Sequence, residues 1–174
     1  MTPRRLGLTL AAAIFVLDQA LKAWILFVFR LPERPPVRVW PLFDLVMVWN
    51  RGISYGLFQQ EGDLGRYALV VLSIAASIGL GVWLWRAPSK LVAVALGLLI
   101  GGALGNAVDR ALYGAVADFV LLYWIPWFPY VFNLADSAIV AGVGLLLYDS
   151  LVVDGRKRPT TDAGATEQDR SPAG

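Results

Sequence analysis

The sequence predicts an all-α membrane protein, a four-helix transmembrane bundle with a small extracytoplasmic cover segment containing β-strand between the first and second helices. Three observations carry this. Of 174 residues, 57% are hydrophobic and only 16% charged, where a soluble domain has about 25% charged residues. Four apolar stretches, 6–29, 67–85, 91–112 and 131–153, approach or exceed the roughly 20 residues needed to cross a bilayer. Basic residues gather at alternate ends of these stretches, as expected for a chain that crosses repeatedly.

The first stretch holds Asp18 and Lys22, and no small-residue cleavage site follows it. It reads as a retained helix, not a removable leader. Residues 30–66 are more than a linker. The part 37–50 is rich in β-branched and aromatic side chains and reads as extended strand, and Asn50-Arg51-Gly52 is a turn signal. Arg4 and Arg5 precede the first helix, Arg86 and Lys90 separate the second from the third, and Arg156, Lys157 and Arg158 follow the fourth. The positive-inside rule then places both termini in the cytoplasm and segments 30–66 and 113–130 outside. Arg34, Arg38, Arg51 and Arg66 run against that rule, accompanied by Glu33, Asp44, Glu61 and Asp63. Trp40, Trp49, Trp124, Trp127 and Tyr130 fall on the outer side and Trp83 and Trp85 on the inner, at headgroup depth. Residues 1–154 form one membrane domain. The polar tail 155–174 is expected to be a disordered cytoplasmic extension.

Composition also narrows the chemistry. The chain has neither Cys nor His, which excludes disulfides, Cys/His zinc sites, thiol nucleophiles and imidazole bases. A net charge of +2 gives no reason to expect a nucleic-acid partner. Catalysis, if any, falls to Asp, Glu, Lys, Ser, Tyr or backbone groups.

Polar groups inside spanning helices are costly, so each needs a reason. Asp18 and Lys22 lie four apart on one helical face. They serve either as a structural ion pair or as support for a site further out. In the third helix Gly101 and Gly105 form a small-xxx-small pair suited to close packing. Asn106 and Arg110 are one turn apart, and Asp109 and Arg110 sit near the outer end, where charge costs less. Alone, this group reads as packing and polar glue. Gly114 is a helix stop. Asp118 follows in an apolar stretch with no cation between it and Asp136, so its pKa should be raised. Asn133 can cap the fourth helix with Asp136 as its N3 residue. That accounts for Asn133 and Asp136 but leaves Asp118 without a purpose. Because the third helix runs outward and the fourth inward, Asp118 and Asp136 lie at one depth. Two close carboxylates share a proton. The ionised one activates a water, and the protonated one polarises a carbonyl and later protonates the leaving amine. Asp136, at a helix start, is the readier to ionise, and Asp118 the readier to hold the proton.

Together these residues resemble the lipoprotein signal peptidase (signal peptidase II) family. The matching motifs are Asp18-Gln-x-x-Lys22, Asn50-x-Gly52, Gly101-Gly-Ala-Leu-Gly-Asn106-x-x-Asp109-Arg110, Gly114-x-Val-x-Asp118-Phe119 and Phe132-Asn133-x-Ala-Asp136-Ser137, in the family's order from the first helix to the fourth. The resemblance implies an aspartic endopeptidase of the bacterial cytoplasmic (inner) membrane. It would remove the signal peptide from prolipoproteins, cutting just before a cysteine bearing a diacylglyceryl group. It implies Asp118 and Asp136 as the catalytic dyad, with Asn106, Arg110 and Asn133 lining the site. Asp18, Lys22, Asn50 and Asp109 belong to the motif set as support. The dyad chemistry needs no metal or cofactor; membrane lipid and the lipid-modified prolipoprotein are the expected partners, and the chain is expected to act as a monomer. Segment 30–66 corresponds to the family's outer cover. One departure follows Gly52, where the family usually has two alanines and Phe and this chain has Ile53-Ser54-Tyr55.

Two other readings compete. In a small polytopic proton or cation transporter or channel, Asp18, Asp109, Asp118 and Asp136 would form a path. A path needs polar groups down to the inner face, and the inner halves of the third and fourth helices offer almost none. A non-catalytic membrane scaffold gives Asp118 no role.

Overall fold

The computed structural model describes residues 1–41, 43–52, 63–122 and 130–153. The tail 155–174, the residues after Gly52 including Ile53-Ser54-Tyr55 and Glu61, and Trp124 and Trp127 lie outside the described residues.

Helix α1 spans Pro3–Ala23, with Thr2 as its N-cap and Pro at the first position, where the missing N–H is no loss. It continues into a π-helical turn, Trp24–Val28, and after Arg30 into a short 3-10 turn, Leu31–Glu33. Strands β1 (Val37–Trp40) and β2 (Phe43–Asn50) follow, within the stretch the sequence marks as extended. Helix α2 covers Asp63–Trp85. Helix α3 covers Lys90–Tyr113, capped by Ser89 and stopped by Gly114 at φ 77°, a left-handed conformation that suits a residue without Cβ. Strand β3 (Val116–Leu122) and the short β4 (Val131–Phe132) come next. Helix α4 covers Leu134–Tyr148 and ends in a π-helical turn, Asp149–Val153.

Four helical segments are long and apolar enough to cross a membrane: Pro3–Glu33, Leu64–Trp85, Lys90–Tyr113 and Leu134–Val152. Two sequence expectations change. Val131 and Phe132 pair as a strand and do not open the fourth helix, because a short apolar run does not by itself distinguish the two states. The segment between α3 and α4 contributes β3 and β4, so strand is not confined to the segment between the first two helices. The sheet is antiparallel in the order β1-β2-β3-β4, and it joins the two segments that connect α1 to α2 and α3 to α4.

Helix α3 is the centre. Within its most apolar window 67% of residues are buried, against 22% or fewer in the other three segments. Residues Val92, Ala93, Leu96, Leu99 and Ile100 of α3 pack with Ala11 of α1 and Leu84 of α2. The opposite faces of α1, α2 and α4 expose Leu17, Val71, Leu72, Ile78, Val140 and Leu147, among others, as expected of surfaces that meet lipid. Between helices in lipid the hydrophobic effect is weak, and close backbone approach through small residues takes over. Gly101 lies against the Ala11 carbonyl and Gly105 against Asp18, both on α1, while Gly102 lies against the Ala135 carbonyl of α4. The glycine pair thus does serve packing against α1, and Gly102 between them brings α4 to the same polar end of α3.

At the other end, Arg4 stacks over the Trp85 ring at 3.1 Å. The start of α1 and the end of α2 therefore share one end of the molecule, and the sheet lies at the opposite end.

A Cβ on Gly102 would stand 2.5 Å from the Ala135 carbonyl oxygen, whereas one on Gly79 would meet nothing within 4 Å. Gly102→Ala is expected to destabilise by about 1–3 kcal/mol through overpacking and to melt lower in detergent. Gly79→Ala should melt at or slightly above the parent, since Ala favours helix over Gly. Equal melting of the two variants would contradict the close α3–α4 packing.

Candidate active site

The site begins one turn inside the sheet end of the helices, with a buried cation. Lys22 Nζ lies 2.8 Å from Asp18 Oδ2 and 2.7 Å from Asp109 Oδ2, all three side chains almost fully buried. Its third donor reaches Asn106 Oδ1 at 3.2 Å. The expected pair is therefore a triad of one cation and two acids. Asp109 is also deeper than its sequence position suggests, with no exposed surface, because segment 113–122 folds back over the end of α3. Buried charges survive when paired and fully hydrogen-bonded, and here the remaining oxygens are used. Gln19 donates to Asp18 Oδ2 (3.2 Å), Asp109 Oδ1 (3.0 Å) and the Gly105 carbonyl (3.2 Å). The Ala135 backbone N–H donates to Asp18 Oδ1 at 3.0 Å, and that of Ala117 to Asp109 Oδ2 at 3.2 Å.

Ala117 and Ala135 immediately precede Asp118 and Asp136. Strand β3 presents Asp118 on one face and Phe119 on the other, where Phe119 packs with Ile25 and Leu31, as the period-two alternation of a strand requires. Asp118 is thus a strand residue, where the sequence reading had only an apolar stretch after the third helix. Asp136 is the N3 residue of α4 in a complete capping box. Asn133 Oδ1 accepts from the Asp136 backbone N–H (2.9 Å) and Asp136 Oδ2 from the Asn133 backbone N–H (3.3 Å). Asn133 also spans the two acids, since its Nδ2 donates to Asp118 Oδ1 at 2.7 Å. The same amide reaches the Ala117 carbonyl and Asn106 Oδ1 at 3.3 and 3.2 Å. Asn106 Nδ2 donates to Asp136 Oδ1 at 2.8 Å. Asn50, at the end of β2, accepts from the Gly52 backbone N–H (3.0 Å) and donates to Asp118 Oδ2 (3.1 Å).

The three asparagines are oriented by their other partners. Lys22 only donates, so Asn106 must turn its oxygen to it and its NH₂ to Asp136. The Asp136 and Gly52 N–H groups fix Asn133 and Asn50 in the same way. Both oxygens of both acids therefore receive a hydrogen bond. Arg110 donates to the Asn106 carbonyl (3.3 Å) and the Gly52 carbonyl (2.9 Å). It ties the end of β2 and the root of the following segment to α3.

Asp118 is 2% exposed, and its pKa is pushed up to about 7. Burial is the main cause and the neighbouring Asp136 adds to it; the hydrogen bonds from Asn50 and Asn133 and the charge of Lys22 oppose the rise. One acid in a sheet and one at a helix start, bridged by a single asparagine, can hold one proton between them and turn a water into a nucleophile.

The structure thus brings Asp18, Lys22, Asn50, Asn106, Asp109, Arg110, Asp118, Asn133 and Asp136 into one connected network. The sequence reading missed Gln19 as a partner of both buried acids. Its signal is an uncompensated amide inside a spanning helix. The roles of the Ala117 and Ala135 N–H groups have no side-chain signature. Below the network, the buried residues of α3 from Val92 to Ile100 are all apolar, which disfavours a transmembrane ion path.

Residues 10–152 match the family described as Signal peptidase (SPase) II. The chain is 58% identical to a lipoprotein signal peptidase of Methylorubrum extorquens, covering 96% of this chain and 94% of that one. It is 59% identical to one of Methylobacterium radiotolerans, covering 90% and 92%. Among solved structures, two bacterial membrane enzymes superpose with TM-scores of 0.75 and 0.72, at 24% and 25% identity. The alignments cover 91% and 85% of this chain and 94% and 93% of theirs.

The raised pKa of Asp118 has a consequence for stability. Its folded value, about 7, lies above the ordinary 3.8, so the folded state binds the extra proton between those pH values. Stability therefore falls as pH rises through that window and stays lowered above it. Asp118→Asn cannot ionise and is expected to melt above the parent at pH 8, with the difference shrinking towards pH 4. A thermal-melt series in detergent checks this, and a variant that melts below the parent at pH 8 would contradict a disfavoured charge at this position.

Proposed function

The chain belongs to the signal peptidase II family, and we propose that it is a membrane aspartic endopeptidase that removes the signal peptide from bacterial prolipoproteins. In this reading cleavage falls just before a cysteine bearing a diacylglyceryl group, and Asp118 and Asp136 are the catalytic dyad. The observation that carries the proposal is the pair of carboxylates held by one asparagine in unlike surroundings, one with a strongly raised pKa and one at a helix N-terminus.

The chemistry follows from those surroundings. Asp136 stands where the helix dipole favours negative charge, so it is the ionised member and takes a proton from the attacking water. Asp118 keeps its proton near neutral pH and gives it to the carbonyl oxygen as the tetrahedral intermediate forms. Collapse of that intermediate breaks the C–N bond: a hydroxyl of the intermediate returns its proton to Asp118 as the new carboxyl forms, and the leaving amine takes the proton from Asp136, so the dyad again holds one proton. The assignment describes a coupled pair. Neither a metal nor a cofactor is needed.

The proposed setting is the bacterial cytoplasmic membrane, with both termini cytoplasmic and the site near the outer face. The positions of Arg4, Arg5, Arg86 and Lys90 at the end away from the sheet support this. The sheet then lies at the outer interface, and segment 30–66, which carries β1 and β2, is proposed as the cover that keeps water from the site. The scissile bond lies where a signal helix leaves the bilayer beside acyl chains. Each buried CH₂ contributes about 0.8 kcal/mol of membrane anchoring, so the lipid group holds the bond at the depth of the dyad. Misplacement lowers turnover as well as affinity.

Purified protein in proteoliposomes is expected to release the signal peptide from a diacylglyceryl-modified prolipoprotein and to cut the unmodified one far more slowly. Asp118→Asn and Asp136→Asn should each lose nearly all turnover while remaining folded. Near-normal cleavage by Asp118→Asn would sink the dyad, and equal rates for the two substrates would sink lipid positioning.

A further inference from the structure

One group in the network is not used by the chemistry, yet each of its three partners reaches a dyad acid or the residue just before one. The Lys22 ammonium has three donors and three acceptors, Asp18, Asp109 and Asn106. Asp18 holds the N–H of Ala135 and Asp109 the N–H of Ala117, so each acid grips the peptide unit one residue before a dyad member. Asn106, turned by Lys22, points its NH₂ at Asp136. The arrangement is close to symmetric: one cation, two acid arms, two alanine N–H groups, two dyad acids. A simple charge-neutralising pair would need only one acid, and neither arm would have to end on the backbone beside a reacting group.

We propose that Lys22 is the positioning residue of the dyad: through Asp18 and Asp109 it sets where Asp136 and Asp118 stand relative to each other, and through Asn106 it fixes the direction of the amide that faces Asp136. The proposal rests on the dyad reading given above and adds to it a residue that touches neither substrate nor water. Asp18 and Asp109 are the arms, and Gln19, bonded to both, braces them.

The charged groups that face Asp118 fix the sign of a pH test. Lys22 approaches from α1, Arg110 from α3 and Asp136 from α4, and the Lys22 charge favours the ionised form of Asp118. Its removal lets the Asp118 pKa rise, and any carboxylate left charged in its absence pushes the same way. The alkaline limb of the pH–rate profile therefore moves to higher pH.

The experiment compares the parent with Lys22→Met, Asp18→Ala and Asp18→Asn, using the lipid-modified prolipoprotein in detergent well below each melting temperature. Lys22→Met is expected to lower kcat about 100-fold, as a displacement of order 1 Å does, with KM little changed. Its alkaline limb should move up by about one pH unit or more, the scale of losing a nearby opposite charge. Asn at position 18 keeps an oxygen for the Ala135 N–H and Ala does not, so Asp18→Asn should recover much of the kcat that Asp18→Ala loses at equal folded fraction. A residue that only stabilises the fold would lower the amount of active protein and leave the limb in place. A parent-like alkaline limb in Lys22→Met, with kcat reduced only in line with the folded fraction, overturns the proposal. Should Lys22→Met fail to fold, equal kcat per folded molecule for Asp18→Ala and Asp18→Asn overturns it. Asp118→Asn and Asp136→Asn run alongside. If they cut normally, it is the dyad that fails. If they are dead while the Lys22 and Asp18 series behaves as purely structural, only the positioning role fails.

Discussion

The structure depends on a buried ammonium flanked by two carboxylates. A lone charge at that depth would be expelled or neutralised, and a single ion pair would still leave carboxylate lone pairs unused. The solution in this chain is to use every donor and acceptor: Lys22 on Asp18, Asp109 and Asn106, and the spare acid oxygens on Gln19 and two backbone N–H groups. Such a cluster forms only if α1 and α3 come close, and that closeness comes from Gly101 and Gly105, where a Cβ would collide with α1. Gly102 does the same for α4. Small residues and buried polar groups are thus two halves of one constraint, the first permitting the approach and the second fixing its register.

From that constraint the environments of the two acids follow. Strand β3 is pinned at Ala117 by Asp109 and paired to β2, with Val48 opposite Asp118 and Trp49 opposite Ala117. Asp118 is thereby enclosed by the sheet and the asparagine amides. Helix α4 is pinned at Ala135 by Asp18, which puts its capping box, and so Asp136, against the same asparagine. The two acids thus stand in unlike surroundings, Asp118 in a sheet and Asp136 at the start of a helix.

Much of this was legible in the sequence, for definite reasons. The four helices announce themselves by length and hydropathy, and the N-cap at Asn133 by the spacing to Asp136. Strand β2 shows in the β-branched and aromatic run ending at Asn50. The polar residues of the network stand out because an apolar setting makes each of them costly. What stayed hidden were long-range choices. An apolar run such as 116–122 suits helix, strand or buried loop until a partner strand exists. Lys22 gives no sign in the chain that a second acid, 87 positions further along at Asp109, will join it. The backbone N–H groups of Ala117 and Ala135 carry no side-chain clue, and Gln19 stands out less than the charges beside it.

The central claim is that two carboxyls share one proton, with Asp118 holding it near neutral pH. Isotope-edited infrared spectroscopy of the protein labelled at aspartate carboxyls measures this without substrate. Below pH 7 the spectrum should contain a protonated-carboxyl C=O band that fades as Asp118 titrates at about 7 and is missing from Asp118→Asn at every pH in that range. A band that persists in Asp118→Asn, or no protonated carboxyl at pH 5.5–6.5 (about two units above the ordinary aspartate value), would contradict it.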